Sequence, residues 1–173
     1  MDNEGRIFPS VLPYNVTPER SYILKLPNDF IKRMQAMLGD EYADFEAEFT
    51  QNPPHTGIRI NPTKKSAKER IIKLLDSPEG VAWCKDGFYT DKSLISGNHP
   101  YHLSGLFYFQ EPSAMTVVEA ADIQKGDFVL DLCAAPGGKS THILTKLEGS
   151  GLLVANEISK KRAAILAENV ERF

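Results

Sequence analysis

The sequence is poor in the residues that would commit it to several function classes. Two cysteines in 173 residues, Cys84 and Cys133, stand 49 positions apart and cannot make a disulfide framework. No stretch approaches the ~20 consecutive apolar residues that a membrane-spanning helix needs. The opening Met1-Asp2-Asn3-Glu4 is acidic and has no apolar core behind it, so no secretory signal is expected. His55, His99 and His102 lie among glycines and prolines, with no cysteine or carboxylate at ligand spacing, and no metal site is expected of them. These absences point to a cytoplasmic protein with reduced thiols. A net charge of −3 also lacks the basic excess usual in nucleic-acid-binding domains.

The charge is unevenly placed, however. Asp40, Glu41, Asp44, Glu46 and Glu48 form an acidic block, and Lys64, Lys65, Lys68, Arg70 and Lys73, preceded by Arg59, form a basic one. Each run reads first as a solvated helix face.

The most informative stretch is Phe128 to Ser140, F-V-L-D-L-C-A-A-P-G-G-K-S. The apolar run Phe128–Cys133, bounded by Gly126-Asp127, predicts a buried strand. Lys139–Leu147 follows as a helix with Ile143, Leu144 and Leu147 on one face. Leu152–Ala155 is a second strand. Ser159 is placed to cap a helix lined by Ala163, Leu166 and Val170. This is a βαβα unit of a Rossmann-like α/β fold with parallel strands. The intervening glycine turn would let a ligand approach bare backbone at a helix N-terminus. Glu157 lies 20 residues after Gly137, just past the second strand, where nucleotide folds bind ribose hydroxyls. Asp131, at the end of the first strand, can meet a cofactor's amino group.

The turn fits neither phosphate motif. Gly138-Lys139-Ser140 completes the second half of a P-loop, but Cys133 stands where its first glycine belongs, which disfavours a nucleotide hydrolase. A dinucleotide fingerprint needs three spaced glycines, and only the adjacent pair Gly137-Gly138 is present. A nucleoside without phosphates, such as S-adenosyl-L-methionine, fits better.

Upstream, Asn28 begins a helix lined by Phe30, Met34, Met37 and Leu38 and ended by Gly39. Asp40 is placed to cap a second, with Tyr42, Phe45 and Phe49 inward. A short strand, Ile58–Asn61, is followed by a capping box at Ser66 and Glu69 and a helix carrying Ile71, Ile72, Leu74 and Leu75. Val81–Tyr89 is expected to be extended, and Asp91–His102 irregular. Phe107-Tyr108-Phe109 reads as core, and Pro112 opens a helix running to about Ala121. The expected organisation is a disordered tail over residues 1–25, a small α+β module over 26–104, and a Rossmann-like portion over 105–173.

The string Asp131–Ser140 resembles the cofactor motif of the RNA cytosine-C5 methyltransferases of the Sun/Fmu type. So do Gly105–Met115 (G-L-F-Y-F-Q-E-P-S-A-M), Ala155-Asn156-Glu157-Ile158, Leu26–Phe30 and Arg59–Pro62. Of the branches of that family, the chain is most similar to the bacterial 16S rRNA methyltransferases of the F type. The resemblance implies S-adenosyl-L-methionine as cofactor, held by Cys133, Ala134, Ala135, Pro136, Gly137, Gly138, Lys139 and Glu157. It implies methylation of cytosine C5 in ribosomal RNA of the small subunit, and it places 26–104 on the RNA side. It also makes the basic cluster a candidate for phosphate contacts.

The resembled enzymes carry two catalytic cysteines in Pro-Cys and Cys-Ser motifs on later strands, and this sequence contains neither motif. No catalytic residue is therefore assigned. The expectation is the first part of a longer enzyme, inactive alone. The competing reading is an RNA-binding or assembly module with a vestigial cofactor fold.

Overall fold

A computed structural model describes residues 26–51, 56–91 and 94–173. The expected tail over 1–25 lies outside the described residues. The chain divides into two compact units, Met1–Pro54 and His55–Phe173.

In the first unit, α1 (Asn28–Leu38) stops at Gly39, whose φ of 55° is readily adopted only by glycine. A single 3₁₀ turn, Gly39–Glu41, leads into α2 (Tyr42–Gln51). Asp40 therefore lies within that turn and is not the cap of α2. Tyr42 is buried and its ring lies 6.2 Å from that of Phe45, which is 6.3 Å from Phe30.

The second unit begins with a three-stranded antiparallel sheet in the order β2-β1-β3, formed by β1 (Thr56–Ile60), β2 (Gly87–Thr90) and β3 (Phe107–Phe109). Ile58 pairs with Phe88 on one side and Phe109 on the other. Ile58, Ile60 and Phe107 are completely buried, packed with Ala67, Ile71 and Leu75 of and just after α3 (Ala67–Leu74). The capping box does not form: Ser66 sits at φ 59° in the left-handed region and its side chain caps nothing. An N-cap needs extended backbone to aim its hydroxyl at the helix N–H groups. Leu74 lies on the outer side of α3 and is exposed. The extended run is also shorter than expected, because residues 81–86 make two turns, with Cys84 N–H bonded to the Val81 carbonyl and Gly87 N–H to that of Cys84.

A one-turn helix, α4 (Pro100–Leu103), precedes β3, and α5 (Pro112–Ala120) follows it with Pro112 in its first turn. Then come β4 (Phe128–Asp131), α6 (Gly138–Leu147), β5 (Leu152–Ala155) and α7 (Lys160–Arg172). β4 and β5 pair in parallel, Phe128 against Leu152 through Asp131 against Ala155. Their inner face, Val129 and Leu153, packs with Val118, Ile143 and Leu147. The expectation of a buried strand fails on the other face: Phe128, Leu130 and Leu132 are 83%, 59% and 64% exposed. Among the described residues, no layer covers that side.

Candidate cofactor site

The site is built where β4 gives way to α6. Asp131, the last residue of β4, turns its carboxylate onto the following chain: Oδ2 accepts the Ser140 hydroxyl at 2.7 Å and Oδ1 the Cys133 N–H at 3.3 Å. This ties the strand end to the first turn of α6. Ala134 N–H then bonds to the Asn156 carbonyl, carrying the parallel pairing past the strands. The Ala135–Pro136 peptide is cis. Gly137 has φ 114°, and a Cβ there would lie 3.3 Å from Leu166 and 3.4 Å from Asn169. The backbone conformation demands glycine, and the space above it is tight.

Helix α7 holds this turn from the side. Arg162 Nη2 donates to the Ala135 carbonyl at 2.6 Å, and Asn169 Nδ2 donates to the Pro136 carbonyl at 2.6 Å. The same Arg162 pairs through Nη1 with Glu157 Oε2 at 3.2 Å. Glu157 Oε1 accepts the Ser159 N–H at 2.9 Å, so the cap of α7 comes from Glu157 and not from the Ser159 side chain. One arginine therefore joins the glycine turn to the acid 20 positions downstream of Gly137. Each Glu157 oxygen keeps a lone pair beyond its present partner, but the Glu157 side chain is 4% exposed beneath Arg162, which is 56% exposed. Of the predicted residues, Ala134, Ala135 and Gly137 are buried, whereas Cys133, Pro136 and Lys139 face solvent. Nothing in the sequence pattern singled out Arg162 or Asn169, which lie in the first and third turns of a helix read only for its apolar face.

Beneath the turn lies a buried polar network. Arg59, on β1, is 1% exposed and so does not belong to the surface basic cluster. Its Nε donates to Gln110 Oε1 at 2.8 Å, and its Nη2 to Thr141 Oγ1 at 2.8 Å and to the Gly138 carbonyl at 3.3 Å. Burial brings its guanidinium down to about 10, still cationic at neutral pH. Alongside, Lys146 Nζ meets Glu119 Oε2 at 2.6 Å and His142 Nε2 meets Oε1 at 3.2 Å. Burial, then the nearby Arg59 charge, pushes the His142 imidazole down to about 3. Burial and a hydrogen bond to Glu119 push the Cys84 thiol up to about 11. Cys84, Glu119 and His142 bring potential ligand atoms within 4.8 Å of one another. The Lys146 ammonium lies against the same Glu119 carboxylate. The Lys146–Glu119 ion pair and the His142 hydrogen bond to the same carboxylate join α6 to α5.

Two family models match. The N-terminal domain of 16S rRNA methyltransferase RsmF matches residues 26–112, half of the chain. The chain belongs to that family. The model for 16S rRNA methyltransferase RsmB/F matches residues 118–173. Ribosomal RNA small subunit methyltransferase F of Vibrio cholerae serotype O1 (strain M66-2) is 39% identical over 159 residues, 86% of this chain and 33% of the relative. The protein of the same name from Aeromonas salmonicida (strain A449) is 37% identical over 161 residues, covering 85% and 33%. The crystal structure of PH0851 aligns with a TM-score of 0.75 at 26% identity, over 84% of this chain and 34% of that one. The chain thus spans about a third of the length of the curated relatives it matches. No helix of the described residues is long and apolar enough to cross a membrane.

Proposed function

We propose that this chain carries the S-adenosyl-L-methionine half-site of a 16S rRNA cytosine-C5 methyltransferase. The observation that supports this most is the glycine turn at Ala134–Gly138, clamped from α7 and facing a carboxylate through a shared arginine. A turn of bare backbone at a helix N-terminus suits the methionine and ribose end of a cofactor without phosphates. Glu157 accepts the ribose hydroxyls on its remaining lone pairs as Arg162 gives way, and Cys133, Pro136 and Lys139 border the cofactor from the exposed side. When bound, the cofactor supplies the methyl group.

Methylation at C5 needs a thiolate to add to C6 of the base. Neither cysteine is placed for that: Cys84 is buried with its thiol raised to about 11, and Cys133 belongs to the cofactor turn. Residues 26–104 form the RNA-facing module in this reading. Lys65, Arg70 and Lys73 are its exposed cations around α3, while Lys68 leans on Phe88 at 5.7 Å and faces Asp86 at 3.9 Å. The substrate is small-subunit ribosomal RNA.

Calorimetric titration of S-adenosyl-L-methionine into this chain and its Glu157→Ala variant tests the reading. Saturable binding by the parent that weakens at least about tenfold in the variant is expected. Equal binding by both would displace the cofactor from this acid.

A further inference from the structure

The cofactor turn is held on two sides, and only one of them belongs to the Rossmann-like portion. The other is β1, a strand of the antiparallel sheet. We propose that Arg59 is a positioning residue for the cofactor turn, fixing the first turn of α6 from the neighbouring sheet without touching the cofactor. This rests on the cofactor reading above.

Arg59 and Asn61 stand two residues apart on the same side of β1's end, and each reaches a different helix. Asn61 Nδ2 donates to the Gly105 and Phe173 carbonyls, and so holds the far end of α7. Arg59 instead reaches the start of α6. Its Nη2 takes both the Gly138 carbonyl and Thr141 Oγ1, and Thr141 Oγ1 itself donates to the Gly138 carbonyl at 3.3 Å. The three groups close a small ring at the point where the glycine turn becomes helix. Gln110, the other partner of Arg59, and Tyr108 lie directly under Gly138, where a Cβ would meet them at 3.7 Å and 3.4 Å. The orientation of the α6 N-terminus, and hence of its free N–H groups, is therefore set by a buried, planar fork that lysine cannot reproduce. The Phe173 ring, 4.9 Å from the guanidinium carbon, closes its other side. A turn fixed before the ligand arrives costs less ordering on binding.

Arg59→Lys keeps the charge and loses the fork, and Thr141→Val removes one acceptor without stranding a buried charge. Ile71→Ala, in the core between α3 and β1, destabilises the sheet without touching the turn, α7 or the ring. For each, the S-adenosyl-L-methionine dissociation constant is measured by calorimetry, the urea midpoint by fluorescence, and hydrogen exchange at amides 138–142. Arg59→Lys and Thr141→Val are expected to weaken cofactor binding at least about tenfold and to speed exchange at those amides. Ile71→Ala is expected to lower the urea midpoint at least comparably and to keep its affinity within about twofold of the parent. Affinity that merely follows the urea midpoint across all three, or fork variants that bind like the parent, would overturn the role. If Arg59→Lys does not fold, Thr141→Val decides. A parent that binds no cofactor sinks the cofactor reading and this role with it, whereas a binding parent with unaffected variants sinks this role alone.

Discussion

The antiparallel sheet and the parallel pair are built from similar apolar residues and end in opposite states. In the first, Ile58, Ile60 and Phe107 are 0% exposed; in the second, Phe128 is 83% and Leu152 52% exposed. β1 is a central strand with a neighbour on each edge and α3 on its face. Among the described residues, β4 has one partner and one covered face. Apolar content sets what a strand can bury, and the layers around it decide whether it does. The cofactor turn sits at the seam, rooted in the thin pair and braced by the thick sheet through Arg59.

The largest effect that could break this contrast is a truncation on each side. Phe107→Ala should cost about 3–5 kcal/mol, as for a fully buried aromatic, and Phe128→Ala within about 0.5 kcal/mol, as for an exposed site. Urea denaturation of both variants reads the difference, and similar losses would mean the pair is as well packed as the sheet. A smaller effect is expected at Gly105, where φ is 73° and a Cβ would run into the Arg172 carbonyl oxygen. Gly105→Ala should cost about 1–3 kcal/mol through strain and the displaced end of α7. Fraying of that end should be visible as faster exchange at the last amides of α7.

Next comes pH. The folded state keeps His142 neutral down to about 3, whereas the unfolded chain takes up that proton below about 6.5. The unfolded state then binds more protons, so stability is full above pH 6.5 and falls as pH drops towards 3. The slope is at most about 1.4 kcal/mol per pH unit for this one group. His102, also lowered by burial, adds the same sign. Denaturation midpoints between pH 7 and 5 should fall, and His142→Gln should flatten the slope. The smallest effect is at the exposed face: Phe128→Lys should change stability by less than about 0.5 kcal/mol and improve solubility by breaking an apolar patch.

Much of the local chain was legible in the residues. Leu152–Ala155 forms the second strand over its predicted span, and the glycine turn and the helix beginning at Pro112 follow from local chemistry that acts over a few residues. The resemblance led to the family that the matches establish. Burial of β4 was not legible, because Phe128 to Cys133 reads the same whether one face or two are covered. Ser66 and Ser159 have the right residue type for capping, but Ser66 has left-handed backbone and the Ser159 side chain makes no cap hydrogen bond, while Glu157 takes the Ser159 N–H. Arg59 was grouped by charge with Lys64–Lys73, and only the pairing of β1 with β3 and the approach of Thr141 remove it from the surface. The Cys84–Glu119–His142 network joins positions 35 and 23 residues apart, a separation at which no periodic pattern speaks.

The most direct test of the central claim is residue-resolved mapping of the cofactor on this chain. Titration of S-adenosyl-L-methionine into the ¹⁵N-labelled protein should shift the amides of Cys133–Ala135, Gly137–Lys139 and Glu157, with Arg162 following as its ion pair is disturbed. Amides around Lys64–Lys73 should stay in place. Saturable shifts centred elsewhere, with those of Cys133–Ala135 and Gly137–Lys139 unmoved, would contradict the account.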